Sequence, residues 1–204
     1  MSGPSSENTD YRNATLPQLL AQNAVVYGSK VTAIREKAYG IWQKYTWSDY
    51  YEYVKKTAAG LASLGLERGS NLCMIVNNSP EWLFCELAAH ALGATSLNLF
   101  TSSVADELAF SITRIHSPIV VVQDQEQADK LIEVKDRLPQ VKKIIYIDPT
   151  GMTSYEEDQW LTSYAQLLIA GENFIAGNPE YVEKEIAGGR PHDIAVMIQT
   201  SGTT

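Results

Sequence analysis

The chain has 204 residues, 45% of them hydrophobic and 20% charged, enough length and apolar content to bury a core without disulfide or metal staples. A formal charge of -8 works against a nucleic-acid partner, since phosphate would be repelled on average, and the densest basic stretch, Lys135 to Lys143, is diluted by Asp136, Leu138 and Pro139. The two cysteines, Cys73 and Cys85, sit in apolar stretches and read as buried free thiols of a reducing, cytoplasmic compartment.

Residues 1–14 are small and polar without periodicity; they predict a flexible arm and contain no apolar core for a secretory signal. Residues 15–204 read as one unit. Thr15 caps a helix with Pro17 in its first turn and Gly28 beyond its end. VTAIRE and IWQKYTW flank KAYG as an N-terminal hairpin. Thr46 and Asp49 have capping-box spacing, and Tyr53, Val54, Thr57, Ala58, Leu61 and Leu64 recur at helical period before Gly65.

A strand–helix alternation follows. LCMIV (72–76) is an uninterrupted apolar run, the mark of a strand covered on both faces. Ser79-Pro80-Glu81 opens a helix to Gly93, apolar on most sides and expected to be buried, with His90 a satisfied core histidine. TSLNLF is the next strand, and Ser103 with Asp106 forms a second capping box for a helix through Ile115. IVVV (119–122) is a strand, Asp124 with Gln127 starts a helix that Pro139 stops, and KIIYI is a further strand. Residues 148–160 form a loop whose acidic run, Glu156 to Asp158, reads as a solvated face rather than a metal site. Two helices are expected in SYAQLLIAGENF and NPEYVEKEIAGG, the second capped by Asn178 and ended by Gly188. IAVMI (194–198) is a buried strand. The fold class is α/β, a mostly parallel sheet flanked by helices, with the hairpin at its N-terminal side. No apolar run reaches the roughly 18 residues of a membrane span. Peripheral membrane contact stays open, and nothing fixes the oligomeric state.

The last strand runs into Thr200, Ser201, Gly202, Thr203 and Thr204. In an open α/β sheet, ligands bind beyond the carboxyl ends of the strands. Hydroxyls and backbone N–H groups there can donate to phosphate oxygens, and glycine lets the backbone approach. On composition alone a Ser/Thr-rich surface turn is an equal alternative. GxxxxGK[ST] and GxGxxG are absent, Ser201 is not in a GxSxG elbow, and His90, His116 and His192 have no metal-ligand spacing.

IAVMIQTSGTT resembles the opening of the (Y/F)TSGTTGxPKG signature of the adenylate-forming superfamily of acyl-CoA synthetases, peptide-synthetase adenylation domains and luciferases. YTWSDYYEYVKKTAAGLASLGLERGS and NNSPEWLFCELAAHALGATSLNLF are similar to earlier blocks of that family. AIREKAYGIWQKYTW and VVVQDQEQADKLIEVKDRLPQVKKIIYID resemble its bacterial long-chain fatty-acid–CoA ligase branch. The resemblance spans about Thr15 to Thr204 and implies the N-terminal part of the large adenylation domain, cut within the phosphate loop. It implies ATP, Mg2+ and coenzyme A as co-substrates, a fatty acid as substrate, and Thr200, Ser201, Gly202, Thr203 and Thr204 on the ATP phosphates. It assigns no catalytic or metal-binding residue within these 204 positions, so the chain alone is expected to be inactive. Gln199 departs from the pattern, standing where many members have Tyr or Phe. The alternatives are a medium-chain or aryl-acid ligase, a non-catalytic α/β nucleotide-binding module, and a structural half of a split enzyme.

Overall fold

The computed structural model describes residues 13–199 apart from Tyr39 and Glu156, so most of the arm expected over 1–14 and all of Thr200 to Thr204 lie outside the described residues. Helix α1 (Leu16–Tyr27) leads into a hairpin of β1 (Thr32–Ala38) and β2 (Ile41–Thr46), antiparallel with Ala38 opposite Ile41. Helix α2 (Trp47–Ser63) starts on the expected capping box: Thr46 Oγ1 accepts from the Asp49 N–H at 3.2 Å, and Asp49 accepts from the Thr46 N–H at 2.8 Å.

The alternating part then runs β3 (Asn71–Ile75), α3 (Pro80–Ala91), β4 (Thr95–Asn98), α4 (Ala105–Arg114), β5 (Ile119–Val122), α5 (Gln125–Glu133) and β6 (Lys143–Tyr146). It closes with β7 (Leu161–Ser163), α6 (Tyr164–Gly177), α7 (Tyr181–Ala187) and β8 (Val196–Met197). Strands β3 to β8 form one parallel sheet in the order β7-β6-β5-β3-β4-β8. The chain therefore crosses from one edge, β7, to the other, β8, through α6 and α7.

Two cores follow from the strand period of two. Leu72, Met74, Val121 and Ile145 enter one cluster with Leu20 of α1, Val54 of α2, Phe84 of α3, Leu167 of α6 and Ile186 of α7. Their neighbours Cys73, Ile75, Val120, Val122 and Ile144 enter the other, with Leu108 and Ile112 of α4 and Leu131 of α5. Both cysteines are free and fully buried; burial pushes their thiols up, so neither is a thiolate nucleophile near neutral pH.

Four expectations need correction. Helix α4 begins after Val104, so Ser103 falls outside the first turn and makes no cap; Asp106 pairs with Arg137 instead. Asn178 ends α6 rather than starting α7, its side-chain N–H donating to the Phe174 carbonyl at 3.1 Å, and α7 starts after Glu180. Strand β7, which was not expected, takes the two residues between the expected loop and the expected helix and the first residue of that helix: Leu161–Ser163 pair with Ile144, Ile145 and Tyr146 of β6. The run Ile194 to Ile198, expected as a buried strand, pairs over only two residues. It is exposed, with Ile194 at 65%, Val196 at 40% and Ile198 at 81%, because β8 is an edge strand and no described element covers those side chains.

Helices α2 and α6 meet backbone to backbone. A Cβ on Gly171 would stand 2.0 Å from the Lys56 carbonyl oxygen, and one on Gly60 would stand 2.5 Å from that of Leu167. Neither carbonyl can swing away without breaking its helix. Gly171→Ala should therefore destabilise the chain by about 3 kcal/mol in urea unfolding, as forced overpacking does. Gly177→Ala, where a Cβ meets nothing within 4 Å, should shift stability by no more than about 1 kcal/mol. Equal effects of the two changes would contradict this packing.

Candidate functional site

Because the sheet is parallel, the loops after β3, β4, β5 and β8 leave from one end of it. Side chains tie the first three together. Gln123 accepts from the Asn77 N–H at 3.1 Å, Thr101 donates to the Asn77 side-chain oxygen at 3.3 Å, and Lys130 donates to the Thr101 carbonyl at 2.8 Å. The fourth exit is β8, whose last described residue, Gln199, precedes Thr200.

The approach to β8 is clamped by Arg68. Its guanidinium donates to Asp193 at 2.6 Å and to the Gly188 carbonyl at 3.4 Å, and it lies over Gly93, where a Cβ would come within 2.5 Å of it. Asp193 also accepts from the Arg190 N–H at 2.9 Å; that bond first, then Arg68, holds its carboxyl below the usual carboxylate range. Gln18 completes the corner, donating to the carbonyls of Ile186 at 3.1 Å, in the last turn of α7, and of Gly189 at 3.2 Å, just beyond it.

The strand itself is held at its start by β4. Thr95 Oγ1 donates to the Ile194 carbonyl at 2.9 Å, and the Ser96 N–H donates to the Ala195 carbonyl at 2.9 Å. At its end, Ser111 of α4 donates to the Gln199 side-chain oxygen at 2.8 Å. Between α4 and the end of β8 lies a cleft of about 210 Å³, lined among others by Leu97, Phe110, Arg114 and Met197.

A polar row runs along the opposite face of β4. Trp82, Glu86 and His90 share one side of α3 at four-residue spacing. Trp82 Nε1 donates to Asn98 at 2.7 Å, and Asn98 and the Ser96 hydroxyl both donate to Glu86 Oε1 at 3.1 Å. His90 Nε2 lies 3.3 Å from Ser96 Oγ, and among the described residues His90 Nδ1 is buried without a partner. His90 is thus half-buried and only half satisfied, not the fully satisfied core histidine expected.

The sequence pointed to the end of the last strand, but not to the side chains that hold that strand in place. Ser111 carried a faint signal, a hydroxyl on the side of α4 that buries Leu108 and Ile112. Thr95, Ser96 and Arg68 carried none, since their partners lie far along the chain.

Comparison with protein families matches residues 20–204 to the AMP-binding enzyme family. Among curated proteins, the chain is 28% identical over 191 residues to Long-chain-fatty-acid–CoA ligase ACSBG2 of Xenopus laevis, covering 93% of this chain and 25% of that protein. It is 26% identical over 203 residues to Long-chain-fatty-acid–CoA ligase heimdall of Drosophila melanogaster, covering 98% of this chain and 30% of that one. The chain thus spans about a quarter to a third of these relatives. Among solved structures, the anthranilate CoA ligase AuaEII in complex with anthranoyl-AMP superposes with a TM-score of 0.67 over 92% of this chain and 32% of that one, at 17% identity, a likeness of fold.

Burial holds the His90 imidazole below its ordinary pKa of 6.5, against the opposing pull of Glu86 and the Ala195 backbone. The unfolded chain therefore takes up a proton near pH 6.5 while the folded chain takes it up only at lower pH, so stability falls as the pH drops below about 6.5. Asp148, held low by Thr150, and Asp193 lose their contributions only below about pH 4. Between pH 7 and pH 5, the urea midpoint of the wild type should drop more than that of His90→Gln. Parallel profiles would remove His90 from the account.

Proposed function

As this chain belongs to the AMP-binding enzyme family, we propose that it is the N-terminal part of an AMP-forming acyl-CoA synthetase that activates a long-chain fatty acid. Its adenylation domain begins at about residue 15, after an N-terminal arm. The carboxylate attacks the α-phosphorus of ATP and expels pyrophosphate; the thiol of coenzyme A then displaces AMP from the acyl-adenylate. Thr200, Ser201, Gly202, Thr203 and Thr204 take the phosphates, with hydroxyl and backbone N–H groups donating to the oxygens on which charge builds as pyrophosphate leaves.

One observation carries this reading. β8 lies parallel to β4, so the chain leaves at Gln199 from the end of the sheet where open α/β folds bind their ligands, directly before TSGTT. The long-chain assignment is supported by the names of the curated relatives, at 25–29% identity. The Mg2+ that accompanies ATP in this reading finds no set of three His, Cys, Asp or Glu side chains among the described residues. Among those residues, no helix is long and apolar enough to cross a membrane. In this reading the enzyme works in the cytoplasm, meeting its fatty acid there or at a membrane surface.

ATP–pyrophosphate exchange by the full-length protein containing this chain, assayed with fatty acids of graded length, tests the reading. Exchange should depend on a long-chain acid, and replacing Thr200 and Thr203 together by Val should raise the KM for ATP at least about tenfold, the loss of two hydrogen bonds to charged oxygens. The 204-residue chain alone should release no pyrophosphate. An unchanged KM in the double variant, or turnover by the chain alone, would overturn it.

A further inference from the structure

We propose that Ser111 is a positioning residue for the nucleotide loop, acting through Gln199; this rests on the reading that residues 200–204 hold ATP phosphates. The two residues are 88 positions apart and meet at 2.8 Å, the Ser111 hydroxyl donating to Gln199 Oε1.

Three features make this contact more than incidental. Ser111 is only 5% exposed, so its hydroxyl has little water to turn to, and losing the acceptor would leave a buried polar group to be satisfied elsewhere. A serine inside a helix ordinarily returns its proton to the carbonyl one turn earlier. Here the single proton goes to Gln199, so the helix gives up that local bond for a distant one. Last, β8 pairs with β4 only at Val196 and Met197, and the β4 hydroxyl and amide bonds hold only Ile194 and Ala195. Among the described residues, the Ser111 bond is the side-chain hydrogen bond that reaches the chain beyond Met197.

Position 199 is also where the sequence departs from the Tyr or Phe of the signature it resembles. A Phe ring could hold the strand end only by packing, and a Tyr would carry its hydroxyl at the far end of a rigid ring. The glutamine holds it by a directional bond to a buried donor on α4, a helix fixed in the second core through Leu108 and Ile112. Gln199 is the last described residue before TSGTT, so holding it holds the point from which that segment leaves the strand. A displacement of about 1 Å at that point is enough to weaken a bound triphosphate and its alignment.

The test is kinetic and uses the full-length protein. Ser111→Ala removes the donor; Gln199→Met keeps the side-chain length and removes the acceptor. In ATP–pyrophosphate exchange each should raise the KM for MgATP about fivefold, the size expected for one hydrogen bond, with the KM for the fatty acid unchanged. Because both remove the same bond, the double variant should be no worse than either single one. The inference falls if neither single change moves the KM for MgATP, or if their effects multiply. It also falls if both substrates weaken together in step with a lowered Tm, which is what a purely structural serine would give. If the wild type itself shows no exchange with any fatty acid, the reading of the function fails first and takes this inference with it.

Discussion

A two-residue parallel ladder between β4 and β8 is the contact on which the candidate site depends. A ladder that short has little cooperativity of its own, and on its outer side no strand among the described residues pairs with it. The fold supplies the rest from outside the strand: hydroxyls of Thr95 and Ser111 at its two ends, and the Arg68 clamp on the segment that delivers it. Ser111 sits on α4, anchored in a buried core through Leu108 and Ile112, and Thr95 on β4, paired with the buried strand β3, so the edge strand inherits its position from the sheet and helices around it.

That inheritance works because the sheet is covered on both faces. Continuous apolar strands in the middle leave no room for slippage, since a one-residue shift would move every side chain from one core to the other. The crossing to β8 runs over the face holding α2, α3, α6 and α7, and it can run there because Gly60 and Gly171 allow α2 and α6 to touch through their backbones. Bulkier residues at either place would push α6 outward, and with it α7 and the segment bound to Arg68.

Much of this was legible in the sequence. The long helices, the hairpin and the central strands announced themselves through caps, periodicity and apolar runs, and those signals are local. What failed was of two kinds. Some signals were ambiguous in chemistry: Asn178 suits a helix end as well as a helix start, and Ser103 stood one residue outside the turn it was expected to cap. Others had no local trace. Three residues, Leu161–Ser163, are too few for a period-two pattern to declare itself, and the apolar Ile194 to Ile198 run gives no sign that its outer side is uncovered. The strand that leads into the hydroxyl-rich TSGTT segment was legible; the side chains that hold the strand were not, because they come from distant parts of the chain.

The central claim is that the residues following Gln199 close around the phosphates of a nucleotide. Hydrogen–deuterium exchange of the full-length protein, with and without MgATP, measures this at the backbone N–H groups concerned. The account predicts slowed exchange in the peptide spanning residues 196–204 on adding nucleotide. Unaltered exchange in that peptide, with protection confined to other parts of a protein that demonstrably binds ATP, would contradict it.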